Sequence, residues 1–412
     1  MSISTSSSLG ILPCPGGERF AEEIIAHLKT IYLRKFDKKA TLLAKRYSVP
    51  KEDIIKQTNL QNDIATTKMH LPGPIDEYRS PSFRIPANFT RFANGEFKAE
   101  ILSTVRGVDL FIVQDMENHY PLTFHGSEDQ QLLSVNDHFM ILLVTIDAAL
   151  QAGASSVTVV IPSYPYARQH KKKGREGLTA SRLGKIIENS GVERIITLDI
   201  HSKEIDHTFD LLHLENLHAS YQILRKLSQM IDLKEDDLVI VSPDTGAVDR
   251  NKFYAGSLKK PMAMLYKERD YSKLTSSARD SNITTTRLLG EVDGKNVFMA
   301  DDMLGTGGTL IKAMEYLKSH GAKDIICGIS LPFFTGSAIE VFDKAYEQGL
   351  FKAIIGTNAV YHDEVLLNRP WFISANVSNL FARAISRTHH NRSLSPLLDN
   401  RRIIRKLLSK EE

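Results

Sequence analysis

VFMADDMLGTGGT, residues 297 to 309, decides how this chain is read. It opens with four apolar residues, the signature of a buried strand. Two adjacent acids follow, Asp301 and Asp302, and then a loop of small residues, Gly305-Thr306-Gly307-Gly308-Thr309. The next segment, LIKAMEYLKSHGA, repeats Leu310, Ala313, Met314 and Leu317 at helical spacing. Strand, acidic pair, glycine loop and helix together describe a phosphate cradle. Glycines let backbone N–H groups approach a phosphate, and the helix N-terminus adds about half a positive charge. The two carboxylates accept hydrogen bonds from adjacent hydroxyls, which suits a ribose. The physical reading is a grip on a ribose that carries a 5-phosphate. A plain strand-to-helix turn, with glycines serving only tight packing, is the alternative that the acids and flanking threonines argue against.

Working outward, the bulk numbers place this motif in an ordinary globular chain. Its 412 residues predict two domains. With 42% hydrophobic and 25% charged residues, a sizeable core is expected. A net charge of +3 gives no argument for nucleic acid as a partner. The two cysteines, Cys14 and Cys327, have no metal spacing and fit a reducing compartment. No apolar run approaches the ~18 residues of a membrane span, and the N-terminus lacks a basic, then apolar, leader pattern. The expectation is a cytoplasmic protein with no membrane partner.

Strands and helices alternate from residue 89 onward. Strands are predicted at 109–114, 156–162, 194–201, 238–244, 262–268, 296–302, 324–331 and 352–357. Helices are predicted at 18–32, 132–151, 179–191 with Thr179 as N-cap, 219–231, 309–320, 337–348 and 377–388. The βαβα order signals mostly parallel sheets flanked by helices. Residues 33–88, rich in Lys, Asp, Asn and Gln and carrying LPGPIDEYRSPSFRIP, read as a surface insertion of mixed helix and loop. The domain boundary is expected near residue 218: a domain of 1–218 containing the insertion, and a domain of 219–412 whose last strong helix packs back on the first. That helix has Val377, Leu380, Phe381, Ala384 and Ile385 as its stripe. Residues 391–412 read as a helix that docks on a neighbouring subunit or as a loose basic tail.

Other segments carry candidate chemistry. SPDTGAVDR, 242–250, follows a strand; Asp244 ends it, and Thr245, Gly246 and Ala247 offer backbone amides to a second anion, unless this is a plain turn. Two anion loops in one domain suit a ligand with phosphate at one end and diphosphate at the other. His201 in LDIHSKEI lies beyond a strand end, where ligands bind in open α/β sheets. YARQHKKKGREGLTA, 166–180, reads as a solvated basic face or, through Arg168 and Gln169, as a phosphate or base contact. FANGEF, 92–97, offers Phe92 for stacking and Asn94 and Glu96 for hydrogen bonds; taken alone, a simple hairpin turn explains it better. YKERDY, 266–271, puts Lys267 and Arg269 on one side of an extended segment leading into SKLTSSARDSNITTT, which has a mobile loop's composition. Two cations there could close over phosphates.

In order, FANGE, YPYARQ, GREGLTA, LDIH, SPDTGAV, the Lys-x-Arg of YKER, DDMLGTGGT and the tail GTNAV…VSNLFARAISRTH resemble the ribose-phosphate diphosphokinase family. The resemblance covers most of residues 10–30 and 89–390. It implies an α/β fold of two tandem phosphoribosyltransferase-like domains, each a mostly parallel sheet flanked by helices. It also implies a dimer-based homo-oligomer, often a hexamer in that family. The ligands implied are ATP, ribose 5-phosphate and Mg2+. By resemblance, Phe92, Asn94, Glu96, Arg168 and Gln169 belong to the ATP site, much of it supplied by a neighbouring subunit. His201 and Asp244 match the metal ligands, Asp244 to Ala247 the diphosphate loop, and Asp301, Asp302 and Gly305 to Thr309 the ribose-5-phosphate loop. Lys267 and Arg269 match the catalytic pair.

The chain departs from the family pattern at Asn94 and Gly305, where acids are usual, at His170, and at Glu268 between the two cations. The segment 33–88 has no counterpart in the pattern. Two rival readings use the same loops. A nucleobase phosphoribosyltransferase leaves FANGE and YPYARQ unexplained. A non-catalytic regulatory relative leaves the retention of Lys267, Arg269 and His201 unexplained.

Overall fold

The computed structural model describes residues 8–57, 82–172, 174–233, 237–269 and 283–409. The chain divides into two units: Met1–Leu217 with Ser378–Leu398, and His218–Val377 with Asp399–Glu412. The second unit therefore interrupts the first in sequence.

In the first unit β1 (Ser8–Pro13), β4 (Val108–Val113), β7 (Ser156–Val160), β8 (Arg194–Leu198) and β9 (His213–Leu217) form one sheet in that order, with every pairing parallel. β4, β7 and β8 are almost wholly buried, which is why they read as apolar runs rather than alternating patterns. The hairpin β2 (Ala87–Arg91) and β3 (Phe97–Ile101) stands apart, as do the short strands β5 (Leu122–Thr123) and β6 (Gln130–Gln131).

Helix α1 (Glu18–Tyr47) runs fifteen residues beyond the predicted end at 32, and α2 (Lys51–Gln57) follows it. The reason is a buried stripe at every fourth position: Phe20, Ile24, Leu28, Tyr32, Phe36 and Ala40. Its last members are scattered among lysines, so composition alone mistakes them for surface. The insertion is also shorter than expected at its far end. Phe83 is buried against Tyr32, ring centroids 5.0 Å apart, and backbone bonds tie Phe83 and Ile85 to Ile11 of β1. Residues 58–81, the rest of that expected insertion, lie outside the described residues.

Helix α3 (Val135–Gln151) begins on a capping box in which Ser134 and Asp137 satisfy each other's backbone N–H. Helix α4 (Thr179–Asn189) corrects the expected cap. Leu178 occupies that position, and the Arg182 N–H bonds to the Leu178 carbonyl at 3.0 Å, so the ladder opens one residue before Thr179.

The second sheet has the order β12 (Ile283–Leu289), β11 (Met262–Arg269), β10 (Leu238–Ser242), β13 (Asn296–Leu304), β14 (Ile325–Pro332), β15 (Ala353–Thr357) and β16 (Phe372–Ala375). Only the β11–β12 pairing is antiparallel. Helices α5 (Ser220–Leu227), α6 (Val248–Leu258), α7 (Gly308–Ser319), α8 (Ala338–Glu347) and α9 (Glu364–Leu367) belong to this unit. Leu310, Ala313, Met314 and Leu317 are the buried face of α7, as their spacing predicts. An aromatic cluster of Phe334, Phe342, Phe351, Trp371 and Phe372 fills the core beside it. The end of the predicted loop after Lys267 is in fact β12, whose β-branched Ile283, Thr284, Thr285 and Thr286 favour the extended form. Residues 270–282 of that loop lie outside the described residues.

Helices α10 (Ser378–His389) and α11 (Ser395–Leu398) belong to the first unit. The α10 stripe of Leu380, Phe381, Ala384 and Ile385 is buried, and Phe381 meets Phe20 of α1 edge-on at 5.1 Å. The C-terminal α12 (Arg401–Ser409) packs on α5 and α6, burying Ile404. Asn400 anchors it by donating to the His218 carbonyl at 3.0 Å and the Ser220 hydroxyl at 2.9 Å. This segment is thus a docked helix within its own unit.

Candidate active site

Three neighbouring strands of the second sheet, β11, β10 and β13, run parallel, so their carboxyl ends share one edge. That edge is where ligands bind in open α/β sheets. It receives Lys267 and Arg269 from β11, the loop from Asp244 to Ala247 after β10, and the run from Asp301 to Thr309 at the end of β13. Strand alternation sets Lys267 and Arg269 two residues apart, although the ladder to β12 shifts register between Glu268 and Arg269. Their side chains lie outside the described residues.

The glycine loop is built as the sequence suggests. Gly307 caps α7 with φ +77°, and a Cβ there would stand 2.2 Å from the Phe342 ring, so both backbone and packing require glycine. Around Gly308 there is open space on the side where a Cβ would point. Thr306, Gly308 and Thr309 are exposed, and the first N–H groups of a helix lack intrahelical acceptors. Gly305 carries no such constraint; its nearest neighbour on that side is the Thr335 hydroxyl at 3.5 Å.

The acids above the loop are crowded. The Asp302 N–H donates to Asp301 Oδ1, and the Met303 N–H to Asp302 Oδ1, each at 2.9 Å. Burial, then repulsion from Asp302 and from Asp244, holds the Asp301 carboxyl well above the usual carboxylate range.

The second anion loop differs from expectation. Asp244 Oδ1 itself accepts the N–H groups of Gly246, at 2.9 Å, and Ala247, at 3.0 Å. The amides expected to face a free anion are already turned onto a carboxylate of their own loop. An acid immediately before a tight turn favours this local closure. The Ser242 hydroxyl braces the loop by donating to the Asp244 carbonyl at 2.7 Å.

The first unit has its own set of convergent ends, after β4, β7 and β8. Beyond β7, Tyr166 has φ +56° and turns the chain so that the Gln169 N–H bonds to its carbonyl at 2.8 Å. Arg168 and Gln169 are exposed there. Beyond β8, Asp199 has φ +43°, and the Ile200 N–H donates to Asn216 Oδ1 at 2.9 Å. This delivers exposed His201, whose ring meets that of His170 edge-on at 5.3 Å. Beyond β4 stand Asp115 and Glu117, which the motif reading passed over. Burial and the nearby Asp115 push the Glu117 carboxyl up to about 7, with Arg168 opposing the shift. The acids of QDMEN directly after a buried strand were the available signal.

The FANGE segment is the turn of the β2–β3 hairpin. Asn94 Oδ1 accepts the Glu96 N–H at 3.2 Å, so this side chain braces the turn. Phe92 is 49% exposed, a free ring for stacking. His201 lies in the first unit and Asp244 in the second. Among the described residues no three His, Cys, Asp or Glu gather closely enough to hold a metal ion. Nor is any described helix long and apolar enough to cross a membrane.

Known proteins share this arrangement. Residues 82–191 match the N-terminal domain of ribose phosphate pyrophosphokinase, and residues 211–365 match the phosphoribosyl transferase domain. Ribose-phosphate pyrophosphokinase A of Dictyostelium discoideum is 33% identical over 315 residues, covering 76% of this chain and 90% of its own. The chain belongs to the ribose-phosphate pyrophosphokinase family. A second member, from Staphylococcus saprophyticus, is 32% identical over 311 residues, 75% of this chain and 88% of that protein. The crystal structure of phosphoribosylpyrophosphate synthetase from Mycobacterium smegmatis superposes with a TM-score of 0.66 at 24% identity, over 93% of this chain and 99% of that one, and so shares the fold. The two tandem α/β units are those of the family.

Proposed function

We propose that the chain transfers the diphosphoryl group of ATP to ribose 5-phosphate, giving AMP and 5-phospho-α-D-ribose 1-diphosphate (PRPP). The observation that carries this reading is the shared edge of β11, β10 and β13, which gathers two anion loops and two cationic residues in a member of this family. The run from Gly305 to Thr309 holds the 5-phosphate on backbone N–H groups, and Asp301 and Asp302 accept the ribose hydroxyls. The loop from Asp244 to Ala247 receives the diphosphate. Since Asp244 occupies two of its amides, the incoming phosphate displaces that carboxylate. The anomeric hydroxyl oxygen forms a bond to the β-phosphorus, the bond to the α,β-bridging oxygen breaks, and AMP departs. The hydroxyl proton passes to solvent, since no side chain stands out as its base. Lys267 and Arg269 neutralise the charge that moves onto the leaving AMP.

Phe92, Asn94, Glu96, Arg168 and Gln169 of the first unit serve ATP in this reading. Support comes from their match to the family's ATP-site positions and, for Phe92, Arg168 and Gln169, from their exposure. Exposed His201 matches one of the family's metal-ligand positions, as Asp244 matches the other. Magnesium fits the donor set. Asp244, Asp301 and Asp302 are oxygen donors whose mutual repulsion favours a cation. Magnesium keeps several waters and takes phosphate oxygens, so it is held by one or two carboxylates and the bound phosphates rather than by a full protein cage. Magnesium bound with ATP would supply charge neutralisation of the phosphates.

The test is AMP and PRPP formation from Mg-ATP and ribose 5-phosphate by the purified chain. Equal amounts of both products are expected. No turnover, with PRPP still bound, would replace this reading with that of a non-catalytic relative.

A further inference from the structure

Asn251 lies in α6, outside every motif that the sequence singles out, and its side chain is fully buried. Its Nδ2 donates to the Ala247 carbonyl at 2.9 Å and to the Ala300 carbonyl at 2.8 Å. Its Oδ1 accepts the Ala300 N–H at 2.9 Å. Both amide hydrogens and the carbonyl are therefore engaged. Ala247 closes the loop that begins at Asp244, and Ala300 immediately precedes Asp301.

Sheet register explains why an amide is needed here. β10 pairs with β13 from Leu238↔Asn296 to Ile240↔Phe298 and no further. On its other edge β10 continues alongside β11 to Ser242↔Met264. It thus leaves β13 two residues before Ala300, where the buried N–H and C=O would lose their ladder partner. The Asn251 carboxamide presents one acceptor and one donor there, as a neighbouring strand would. Its remaining hydrogen reaches the loop that β10 itself has turned into. One side chain thereby ties the strand under the acidic pair to the end of the other anion loop.

We propose that Asn251 is a positioning residue that fixes the span between the loop 244–247 and the acidic pair 301–302, and through that span the affinity for a ribose phosphorylated at both ends. The proposal rests on the functional reading above. A ligand held at two points gains from the second contact only if the two sites keep the separation its own skeleton imposes. Ribose 5-phosphate, gripped at the glycine loop, makes no such demand.

The experiment is calorimetric titration of the full chain with ribose 5-phosphate and with PRPP, in wild type, Asn251→Leu and Asn251→Asp. Asn251→Leu keeps the branching and the number of heavy atoms and removes all three bonds. It is expected to weaken PRPP binding at least tenfold and ribose 5-phosphate binding less than threefold. Asn251→Asp keeps the acceptor for Ala300 but turns an oxygen toward two carbonyls. It is expected to show the same split, and it carries the test if the leucine variant does not fold. Equal losses for both ligands, or no loss for either, in a folded variant would reduce Asn251 to packing and overturn the proposal. A wild type that binds neither ligand would instead remove the reading of the two loops, and this inference with it.

Discussion

The two sheets each send three adjacent parallel strands to one edge, yet they build that edge from different materials. In the second unit the glycine loop is made of backbone. Gly307 has a positive φ and no room for a side chain, and the helix N-terminus behind it supplies the donors. In the first unit the same places are held by Tyr166 and Asp199, non-glycine residues with positive φ, and the groups gathered there are side chains: Glu117, Arg168, His170 and His201. Backbone sites accept a fixed tetrahedral group such as phosphate. Side-chain sites can be retuned for shape and charge one residue at a time. The difference fits a chain in which one unit grips an invariant ribose phosphate and the other meets a larger nucleotide.

Five experiments test this contrast. The largest effect is expected from Lys267→Ala. Turnover should fall about a thousandfold, as removal of a group that stabilises transition-state charge does, while ribose 5-phosphate affinity changes less than threefold. An unchanged turnover number in steady-state assays would take Lys267 out of the chemistry. Phe381→Ala probes whether the first unit depends on the returning α10. Losing this fully buried ring against Phe20 should cost about 3–5 kcal/mol in urea unfolding. A change under about 1 kcal/mol would mean α10 contributes little to that unit.

Gly307→Ala tests the backbone site directly. The clash with Phe342 and the positive φ should weaken ribose 5-phosphate binding roughly tenfold or more and lower stability by about 1–3 kcal/mol. Full retention of binding in a calorimetric titration would show that this turn does not form the grip. Glu117→Gln probes the side-chain site through pH. The carboxyl is raised in the folded state, so the native protein holds its proton more tightly than the unfolded chain does. Stability is thus lost as pH rises from the unfolded value near 4.5 to about 7. Thermal unfolding of the glutamine variant should show a gain on the order of 1 kcal/mol at pH 8 and none at pH 4. An equal gain at both would mean that charge is not the cause. The smallest effect belongs to Asn94→Asp. Either side chain accepts the Glu96 N–H, so the hairpin turn should persist and the KM for ATP should move by less than about threefold. A larger shift would mean that the added charge, rather than the hydrogen bond either side chain can accept, acts on the nucleotide.

Much of this molecule was legible in the residues themselves. Period-3.6 stripes named the buried face of α7 and of α10, and unbroken apolar runs named the central strands, because burial on one or two faces leaves a direct trace in composition. The glycine loop was legible for the same kind of reason, since a residue without a Cβ is needed wherever backbone must meet a ligand. The length of α1 was not, because its stripe continues through Phe36 and Ala40 among charged neighbours whose surface face dominates local composition. Three facts were settled only in three dimensions. Asp244 turns onto its own loop amides, burial together with the neighbouring acids raises the Asp301 carboxyl, and Asn251 replaces a strand where β10 departs from β13. The first is a closure within one turn, whereas the other two depend on where chain segments far apart in sequence come to rest. Hydrogen bonding and charge repulsion act over a few ångströms of space, and spacing along the chain records them only when the partners are neighbours in sequence.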